Sequence, residues 1–341
     1  MFLLRDVRRK DLPDLKKLAS ELNTVNLPDN QEMLAALIEQ SVKSFAGLIP
    51  DPFERQYLFV AEELAGKALV GTSMIIAQHG TFEAPHIYYE VSEREHYSAT
   101  LDRHFRHKVL SIGYNYAGPT EIGGLVVAPP FRSSAEKIGR QLSYVRFLYI
   151  GMHRTLFREK VLAELLPPLL EDGRSLLWEA IGKKFTGLTY QEADRLSRQN
   201  KEFIKELFPA SDLYVSLFPE RTQRVVGEVA AETRGVKRML ERVGFRYAER
   251  IDPFDGGPHF EAMVDQVSLI KQFRIARLEK GPPAESQNTW LVGYESSNGR
   301  TRFRALKAFA EISGNQVRLT TEAREHLQAP LGARVALIPF E

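Results

Sequence analysis

The residues from Gly123 to Met152 have the types and the order expected of a phosphate-binding segment. A short apolar strand, Leu125-Val126-Val127, runs into a polar turn and then into an amphipathic helix that begins near Ile138. The first turn of a helix presents unpaired backbone N–H groups and the positive end of the helix dipole, and both favour a bound pyrophosphate. The sequence therefore predicts a phosphate cradle, whose residues are Arg132, Ser134, Ile138, Gly139 and Arg140.

A second group of residues that could do chemistry lies in the polar and aromatic stretch from Gly80 to Tyr116. It contains His96, His104 and His107, but their spacing repeats no known metal-ligand motif. The chain has no cysteine, which excludes thiolate metal sites, disulfides and a cysteine nucleophile. We therefore expect no metal, and we interpret this stretch as a solvated insertion between strands.

Composition and charge limit the partners of the protein. The 341 residues include 46 basic and 44 acidic side chains, a formal net charge of +2, so the overall charge favours neither nucleic acid nor an acidic membrane surface. No stretch approaches the roughly 20 apolar residues of a membrane span, and the first apolar run is too short for a signal peptide. We expect a cytoplasmic protein with no nucleic-acid or membrane partner.

The elements expected before the cradle are those of an α/β protein. A strand from Phe2 to Val7 leads into an amphipathic helix, and a second helix from Gln31 to Phe45 follows a proline-containing break at Asn26 to Asp29. Two strands, Tyr57 to Glu62 and Ala68 to Ala77, indicate an antiparallel hairpin that feeds a mixed sheet. The cradle helix is expected to pack on this sheet, because its apolar residues recur on one face.

The C-terminal part differs in kind. Residues 281–288 have the composition of a linker. Short strands are predicted after it, with one helix, at Thr289 to Glu295, Arg302 to Glu311, Asn315 to Thr320, Thr321 to Leu327 (the helix) and Ala333 to Phe340. We predict a main domain at residues 1–275 that includes the cradle, and a small β-barrel-like subdomain at residues 276–341 with a packing or oligomerisation role.

The cradle resembles the coenzyme A site of the GNAT acyltransferase superfamily. In that superfamily a strand ending in Val-x-Pro leads to an arginine, a small-residue loop and an Ile-Gly pair; here these are Val127-Ala128-Pro129, Arg132 and Ile138-Gly139. The loop is longer in this chain, and Ser133 to Glu136 stand where the superfamily usually has a glycine. The resemblance implies an enlarged GNAT-like mixed sheet flanked by helices, with an acyl-CoA as co-substrate.

Four further segments resemble the arginine N-succinyltransferase family and occur in the order of that family. They are WEAIGKKF (Trp178 to Phe185), FIKELFP (Phe203 to Pro209), VVGEV (Val225 to Val229) and GFRYAERIDPFDGGPHFEA (Gly244 to Ala262). The most specific part is Phe254 to Pro258. This resemblance covers nearly the whole chain and implies transfer of succinyl from succinyl-CoA to the α-amine of arginine, the first step of an arginine-degradation route.

The family resemblance also implies binding residues. The family's acyl-CoA contact falls on Leu125, and the backbone of Val126 and Val127 would bond the thioester carbonyl and the pantetheine arm. For the arginine acceptor, the specific turn implies Asp255, Gly256 and Gly257, since a guanidinium group is recognised by a carboxylate.

One functional position departs from the family. The family's proton-transfer histidine follows Gly-x-Val, and in this chain Ala230 stands at that place. Alanine cannot move a proton, so another group or an ordered water must substitute if the chain is an enzyme. Glu228 and Glu232 flank the position and His259 directly follows the Asp-Gly-Gly-Pro turn; of these, Glu228 and His259 are our predicted catalytic residues.

The departure at Ala230 leaves three functions open. The first is the family reaction, succinyl transfer to arginine. The second is acyl transfer to a different amine or from a different acyl-CoA. The third is a non-catalytic acyl-CoA-binding partner subunit. A homo-oligomer or a hetero-oligomer is compatible with each of them.

Overall fold

The computed structural model describes residues 1–22, 27–28, 30–82, 84–197, 200–284, 288–296 and 302–340. These residues contain 15 strands and 11 α-helices, which we number in chain order. They form two compact units: the first contains residues 1–78, 120–159 and 264–341, and the second contains residues 79–119 and 160–263. The predicted break at residues 26–29 and the predicted linker at 281–288 extend into residues outside this description.

The strands of the first unit form a mixed sheet. They are β1 (Phe2–Asp6), β2 (Gln56–Glu63), β3 (Leu69–Ile76), β6 (Thr120–Val127), β11 (Arg274–Leu278), β12 (Thr289–Glu295), β13 (Phe303–Ser313), β14 (Gln316–Leu319) and β15 (Arg334–Pro339). Their order is β12-β15-β11-β14-β13-β1-β2-β3-β6. β11 and β14 run parallel, and the other neighbouring pairs run antiparallel. The predicted mixed sheet is confirmed.

The last five strands of the first unit close into a small barrel. β12 pairs with β13 from Thr289 opposite Phe309 to Glu295 opposite Phe303, in addition to its pairing with β15. Side chains from the five strands and from helix α11 (Thr321–Leu327) form one buried apolar cluster. The apolar residues alternate along each short strand, so one row of side chains points inward and forms this core. The predicted β-barrel-like subdomain is confirmed.

Helix α3 (Ile138–Met152) lies between the sheet and the barrel. A Cβ atom added to Gly71 of β3 would lie 2.7 Å from the side chain of Leu142, and one added to Gly293 of β12 would lie 2.8 Å from Leu148. Both sides of the helix are therefore closely packed, and every residue from 141 to 150 is buried. Such close packing fixes the position of the segment that carries the predicted cradle.

The other helices of the first unit are α1 (Leu12–Leu22), α2 (Gln31–Phe45) and α10 (Ser268–Lys271). Helix α2 begins where predicted, because the Asn30 side chain caps it by accepting hydrogen bonds from the backbone N–H groups of Glu32 and Met33. Apolar residues of α1, α2, β2 and β6 share one buried cluster. The two N-terminal helices are thereby fixed on the sheet that contains β6.

The second unit contains strands that pair antiparallel. Its strands are β4 (His86–Ser98), β5 (Arg103–Asn115), β7 (Lys160–Glu164), β8 (Leu213–Tyr214), β9 (Arg246–Ile251) and β10 (Pro258–Met263), in the order β7-β10-β9-β4-β5-β8. The stretch interpreted as a solvated insertion is instead a regular hairpin, in which β4 and β5 pair from His86 opposite Asn115 to Ser98 opposite Arg103. Both faces of the outer half of this hairpin carry polar residues. The alternation of apolar and polar residues that predicts a strand is therefore missing from the sequence.

Short helices cover the sheet of the second unit. They are α4 (Leu176–Ala180), α5 (Gly182–Thr186), α6 (Tyr190–Ser197), α7 (Glu202–Leu207), α8 (Glu220–Gln223) and α9 (Arg234–Val243). Apolar residues of α4, α6 and α7 join Tyr89 and Ile251 in one buried cluster that includes Trp178. The indole N–H of Trp178 donates to the carbonyl oxygen of Leu188 at 2.9 Å, so this large side chain is buried with its polar atom satisfied.

The compact units do not divide the chain at one point. Residues 264–341 group with the N-terminal strands in the first unit. The predicted boundary between a main domain at residues 1–275 and a subdomain at residues 276–341 therefore stays a prediction. Among the residues that the structure describes, no helix combines the length and the apolar character needed to cross a membrane.

Candidate active site

Strand β6 contains a β-bulge at the predicted acyl-CoA contact. Its register against β3 shifts between Thr72 and Met74, and Gly124 has a φ of +57° that favours glycine. The hydroxyl of Thr72 donates to the carbonyl oxygen of Gly124 at 2.9 Å and holds the bulge in place. A β-bulge interrupts the regular hydrogen bonds between β3 and β6, so the backbone groups near Leu125 depart from the regular pairing geometry.

The three predicted contact residues of β6 alternate between its faces. Val126 is 5% exposed and joins the buried cluster under helices α1 and α2. Leu125 and Val127 point to the other face and are partly exposed. The side chains of Leu125 and Val127, together with the backbone of the bulge, are therefore the parts of this strand that a ligand could contact.

The loop between β6 and α3 is held by specific hydrogen bonds. Arg132 is exposed, and its Nε donates to the carbonyl oxygen of Val127 at 3.0 Å. The Ser134 hydroxyl accepts the backbone N–H of Glu136 at 3.2 Å. The Glu136 carboxylate lies 2.6 Å from the ammonium of Lys307 in β13, so the barrel also contacts this loop. These contacts order the loop and leave the Arg132 guanidinium accessible to an anion.

The N-terminus of α3 has the features of an anion-binding helix end. Lys137 precedes the helix with a φ of +54°, and within the described part of the chain no side chain caps the helix. A Cβ atom added to Gly139 would meet only the Val127 side chain, at the ordinary contact distance of 3.7 Å. The packing of the protein therefore does not require a glycine at position 139. A ligand that approaches the helix end closely would require one, because a side chain there would occupy its space.

Arg146 is a buried cation of α3 that the sequence analysis did not identify. Its guanidinium donates to the carbonyl oxygen of Gly123 at 3.2 Å and to the Ser143 hydroxyl at 2.8 Å. Burial lowers its pKa to about 9, because a cation loses its hydration there. The only sequence signal is that an arginine interrupts the apolar face of α3 one turn after Leu142. Arg146 ties the helix to the bulged strand.

In the second unit, the specific family segment forms a tight turn between β9 and β10. One carboxylate oxygen of Asp252 accepts the backbone N–H groups of Phe254 and Asp255, at 2.7 and 3.1 Å. Asp255 in turn accepts the N–H of Gly257 at 2.8 Å, and Gly256 has a φ of +84°. Short side chains with an acceptor oxygen suit the two aspartate positions, and the positive φ of Gly256 favours glycine there.

The four segments that resemble the family come together around this turn. The Phe254 ring stacks on Trp178 with centroids 5.1 Å apart, and the Phe208 ring lies 5.9 Å from Trp178. The backbone N–H of Gly227 donates to the carbonyl oxygen of Gly256 at 3.1 Å. The resemblance therefore marks one contiguous region of the fold rather than separate stretches.

Two acidic side chains of the turn have raised pKa values. Burial raises the pKa of Asp255 to about 7, and the negative charge of Glu164 adds to this, against the hydrogen bond from Gly257. Burial and the neighbouring Asp255 charge raise the pKa of Asp252 well above its ordinary value. The protonated acids are therefore favoured in the folded protein, and the stability that depends on protonated Asp255 is lost as the pH rises through about 7.

We therefore expect Asp255→Asn to change the free energy of unfolding differently at the two pH values. The change should be more favourable at pH 8 than at pH 5 by about 1–2 kcal/mol. Asparagine keeps the oxygen that accepts the Gly257 N–H but cannot ionise. The free energy of unfolding in urea at both pH values measures the effect, and the exposed Asp14→Asn variant is the control. An equal effect of Asp255→Asn at both pH values would show that Asp255 does not ionise in this range.

The structure separates the two predicted catalytic residues by exposure. Glu228 is exposed, beside the buried Ala230, whose backbone N–H donates to the carbonyl oxygen of Leu166 at 2.9 Å. His259 is 0% exposed, in β10 directly opposite Glu164 of β7. Burial lowers the pKa of His259 to about 3. Glu232 is exposed as well.

His259 belongs to a cluster of histidines around Glu164. One Glu164 carboxylate oxygen lies 3.4 Å from His259 Nε2, 3.3 Å from His86 Nε2 and 4.0 Å from His79 Nε2. Burial raises the pKa of this carboxyl, but the nearby histidines outweigh burial and hold the pKa low. His96, His104 and His107 lie elsewhere, on the outer half of the β4–β5 hairpin. Nothing in the local sequence signals that the other three histidines meet.

The bulged strand, the ordered loop and the uncapped helix end are set in a mixed sheet, the arrangement that the sequence analysis predicts for an acyltransferase. Comparison with known proteins then gives the family. A sequence model described as arginine N-succinyltransferase beta subunit matches residues 2–269, and the chain belongs to the arginine N-succinyltransferase family.

Individual relatives match along the full length of the chain. The arginine N-succinyltransferase of Yersinia pestis (strain Pestoides F) is 33% identical over 351 residues, which cover 99% of this chain and 97% of that protein. That of Escherichia coli (strain 55989 / EAEC) is 31% identical over 342 residues, with the same coverage. The solved structure of arginine/ornithine succinyltransferase subunit AI from Pseudomonas aeruginosa has a TM-score of 0.84 at 30% identity, covering 99% of this chain and 98% of that chain. The resemblance inferred from sequence segments is confirmed.

Proposed function

We propose that this chain transfers the succinyl group of succinyl-CoA to the α-amine of arginine, the reaction for which its relatives are named. The observation that carries this proposal is the full-length match, at 30% identity and a TM-score of 0.84, to a solved arginine/ornithine succinyltransferase subunit. The absence of cysteine fits a protein of the reducing cytoplasm, where we place this reaction.

The first unit is the proposed acyl-CoA site. The positive end of α3 and the side chains of Arg132 and Arg140 attract the pyrophosphate, and the packing leaves room at Gly139 for its approach. We assign the hydrogen bonds to the thioester carbonyl and the pantetheine arm to the bulged backbone from Leu125 to Val127. A backbone N–H that polarises the carbonyl stabilises the negative charge that develops on its oxygen during attack.

The reaction requires one proton to leave the amine. The neutral α-amine nitrogen attacks the thioester carbonyl carbon, the carbon–sulfur bond breaks, and the CoA thiolate accepts a proton. Ala230 can do neither proton transfer. We assign the transfer to Glu228, because its side chain is exposed, while that of His259 is enclosed beside Glu164 and cannot reach a substrate without a rearrangement.

The turn at Asp255, Gly256 and Gly257 is the proposed acceptor site. An ionised carboxylate pairs with a guanidinium group, and a bound guanidinium would in turn favour the ionised form of Asp255. The raised pKa of Asp255 in the free protein supports a role in which the charge forms only when the acceptor binds. The backbone of the two glycines shapes the turn around that carboxyl.

Release of free CoA thiol from succinyl-CoA, followed with a thiol-reactive dye with and without arginine, tests the proposal. The protein contributes no thiol of its own, because it has no cysteine. Arginine-dependent release is expected. Release with another amine or another acyl-CoA, but not with arginine and succinyl-CoA, would assign the chain to a divergent acyltransferase.

A non-catalytic acyl-CoA-binding partner subunit is the second candidate. The specific observation that favours it is Ala230 at the place of the family histidine. The matching family is that of a beta subunit, and the matching structure is that of subunit AI. Succinyl-CoA binding in a calorimeter, without thiol release for any amine tested, is the expected result for this function. The molar mass in solution then shows whether the chain assembles with copies of itself.

A further inference from the structure

Three histidine side chains from separate parts of the second unit converge on one carboxylate oxygen of Glu164. His86 begins β4, Glu164 ends β7, His259 lies opposite Glu164 in β10, and His79 precedes β4 in the chain. The backbone N–H of His79 donates to the carbonyl oxygen of Pro119 at 2.8 Å, which fixes its position beside the end of β5. The fold therefore brings together residues that are far apart in sequence.

The distance from Glu164 to His86 is that of a metal site, and the distance from Glu164 to His79 is longer. A tetrahedral zinc ion with ligand bonds of 2.0–2.1 Å has ligand atoms about 3.3 Å apart. The Glu164 oxygen lies 3.3 Å from His86 Nε2 and 4.0 Å from His79 Nε2. In the described part of the chain, His79, His86 and Glu164 form the one group of three such residues whose ligand atoms lie within 4.8 Å of one another.

Two of the histidines carry buried polar atoms that the described protein does not satisfy. His86 is 1% exposed and His259 is 0% exposed, and neither ring nitrogen of either residue has a hydrogen-bond partner among the described residues. The His86 Nε2 atom lies 3.3 Å from a Glu164 oxygen without meeting the geometry of a hydrogen bond. Buried polar atoms without partners are costly, and a cation that accepts their lone pairs removes that cost.

We propose that His79, His86 and Glu164 bind a divalent metal ion of the zinc class. Two imidazoles and one carboxylate are a known zinc set, and this nitrogen-rich set excludes magnesium and calcium, which prefer oxygen ligands. His259 is a positioning residue, since its ring lies 3.4 Å from the same Glu164 oxygen and stacks on His86 with centroids 5.2 Å apart. The ion joins the ends of β4 and β7 and takes no part in the proposed acyl transfer.

Metal binding by the purified full-length chain tests this proposal. After treatment with a chelator, the protein is titrated with Co²⁺, whose visible absorption reports the ligand geometry, and Zn²⁺ is then added as competitor. We expect one Co²⁺ per chain, displaced by Zn²⁺, and a rise in the melting temperature of about 3 °C or more with saturating Zn²⁺. Absence of stoichiometric binding by the wild-type protein would overturn the proposal.

Matched histidine variants locate the site. His79→Ala is expected to weaken Zn²⁺ binding at least tenfold, because a ligand is lost; its side chain is 19% exposed, so the fold should tolerate the change. His104→Ala, at a side chain that is 66% exposed on the hairpin, is expected to bind like the wild type. Glu164→Gln is the second variant, used if His79→Ala does not fold. Wild-type affinity in both His79→Ala and Glu164→Gln would overturn the assignment.

Discussion

Glu228→Gln is expected to lower the turnover of succinyl-CoA with arginine by about 100-fold, while leaving the affinity for succinyl-CoA unchanged. Glutamine has nearly the same shape but cannot accept the proton of the attacking amine. The variant keeps the proposed positioning by the bulged strand and the proposed polarisation of the thioester carbonyl, so residual activity is expected. Steady-state rates of thiol release across pH 6 to 10 measure the effect, since loss of a base also changes the pH profile of kcat.

His259→Gln is the matched control for Glu228→Gln. Because the His259 side chain is fully buried against Glu164, its replacement should change metal affinity and stability but keep the pH profile of turnover. Full turnover of Glu228→Gln across the whole pH range, with loss in His259→Gln, would reverse the assignment. Full turnover in both variants would leave the proton to water or to Glu232, and the assignment of Glu228 would be wrong.

The parts of the fold that follow from local sequence were predictable. Helix α2 has the predicted bounds, because Asn30 caps its first turn and apolar residues recur with helical period after it. Helix α11 also has the predicted bounds, and Thr320 caps it by accepting the N–H of Ala323. β12 runs from Thr289 to Glu295 as expected. In these elements the local preference and the packed position agree.

The missed features depend on partners that are distant in sequence. The strands β4 and β5 stabilise one another through 13 paired positions, although neither shows a clear apolar alternation over its outer half. The histidine cluster exists only because β7 and β10 pair with Glu164 opposite His259, and β4 begins beside them. Arg146 was missed for a related reason, because its partner at Gly123 lies on the neighbouring strand. A local sequence pattern does not predict which residues of two distant strands lie opposite one another.

Gly139→Val is expected to raise the dissociation constant of succinyl-CoA at least tenfold, equivalent to about 1.4 kcal/mol. The valine side chain would occupy the space beside the helix end where the proposed pyrophosphate approaches. The fold should tolerate it, because the added Cβ meets only Val127 at 3.7 Å and valine is not worse than glycine within a helix. Calorimetric titration with succinyl-CoA gives the affinity, and thermal unfolding without ligand tests the fold.

Gly235→Val is the matched control, because the two glycines occupy equivalent positions. Gly139 is the second residue of α3 and Gly235 is the second residue of α9, and among the described residues nothing lies within 4 Å of a Cβ added at Gly235. Both variants gain the same side chain at the same turn of a helix, so a loss of affinity confined to Gly139→Val must arise at the end of α3. Unchanged affinity in a folded Gly139→Val protein would mean that the phosphates bind elsewhere, and Arg132 and Arg140 would then lose their proposed role as well.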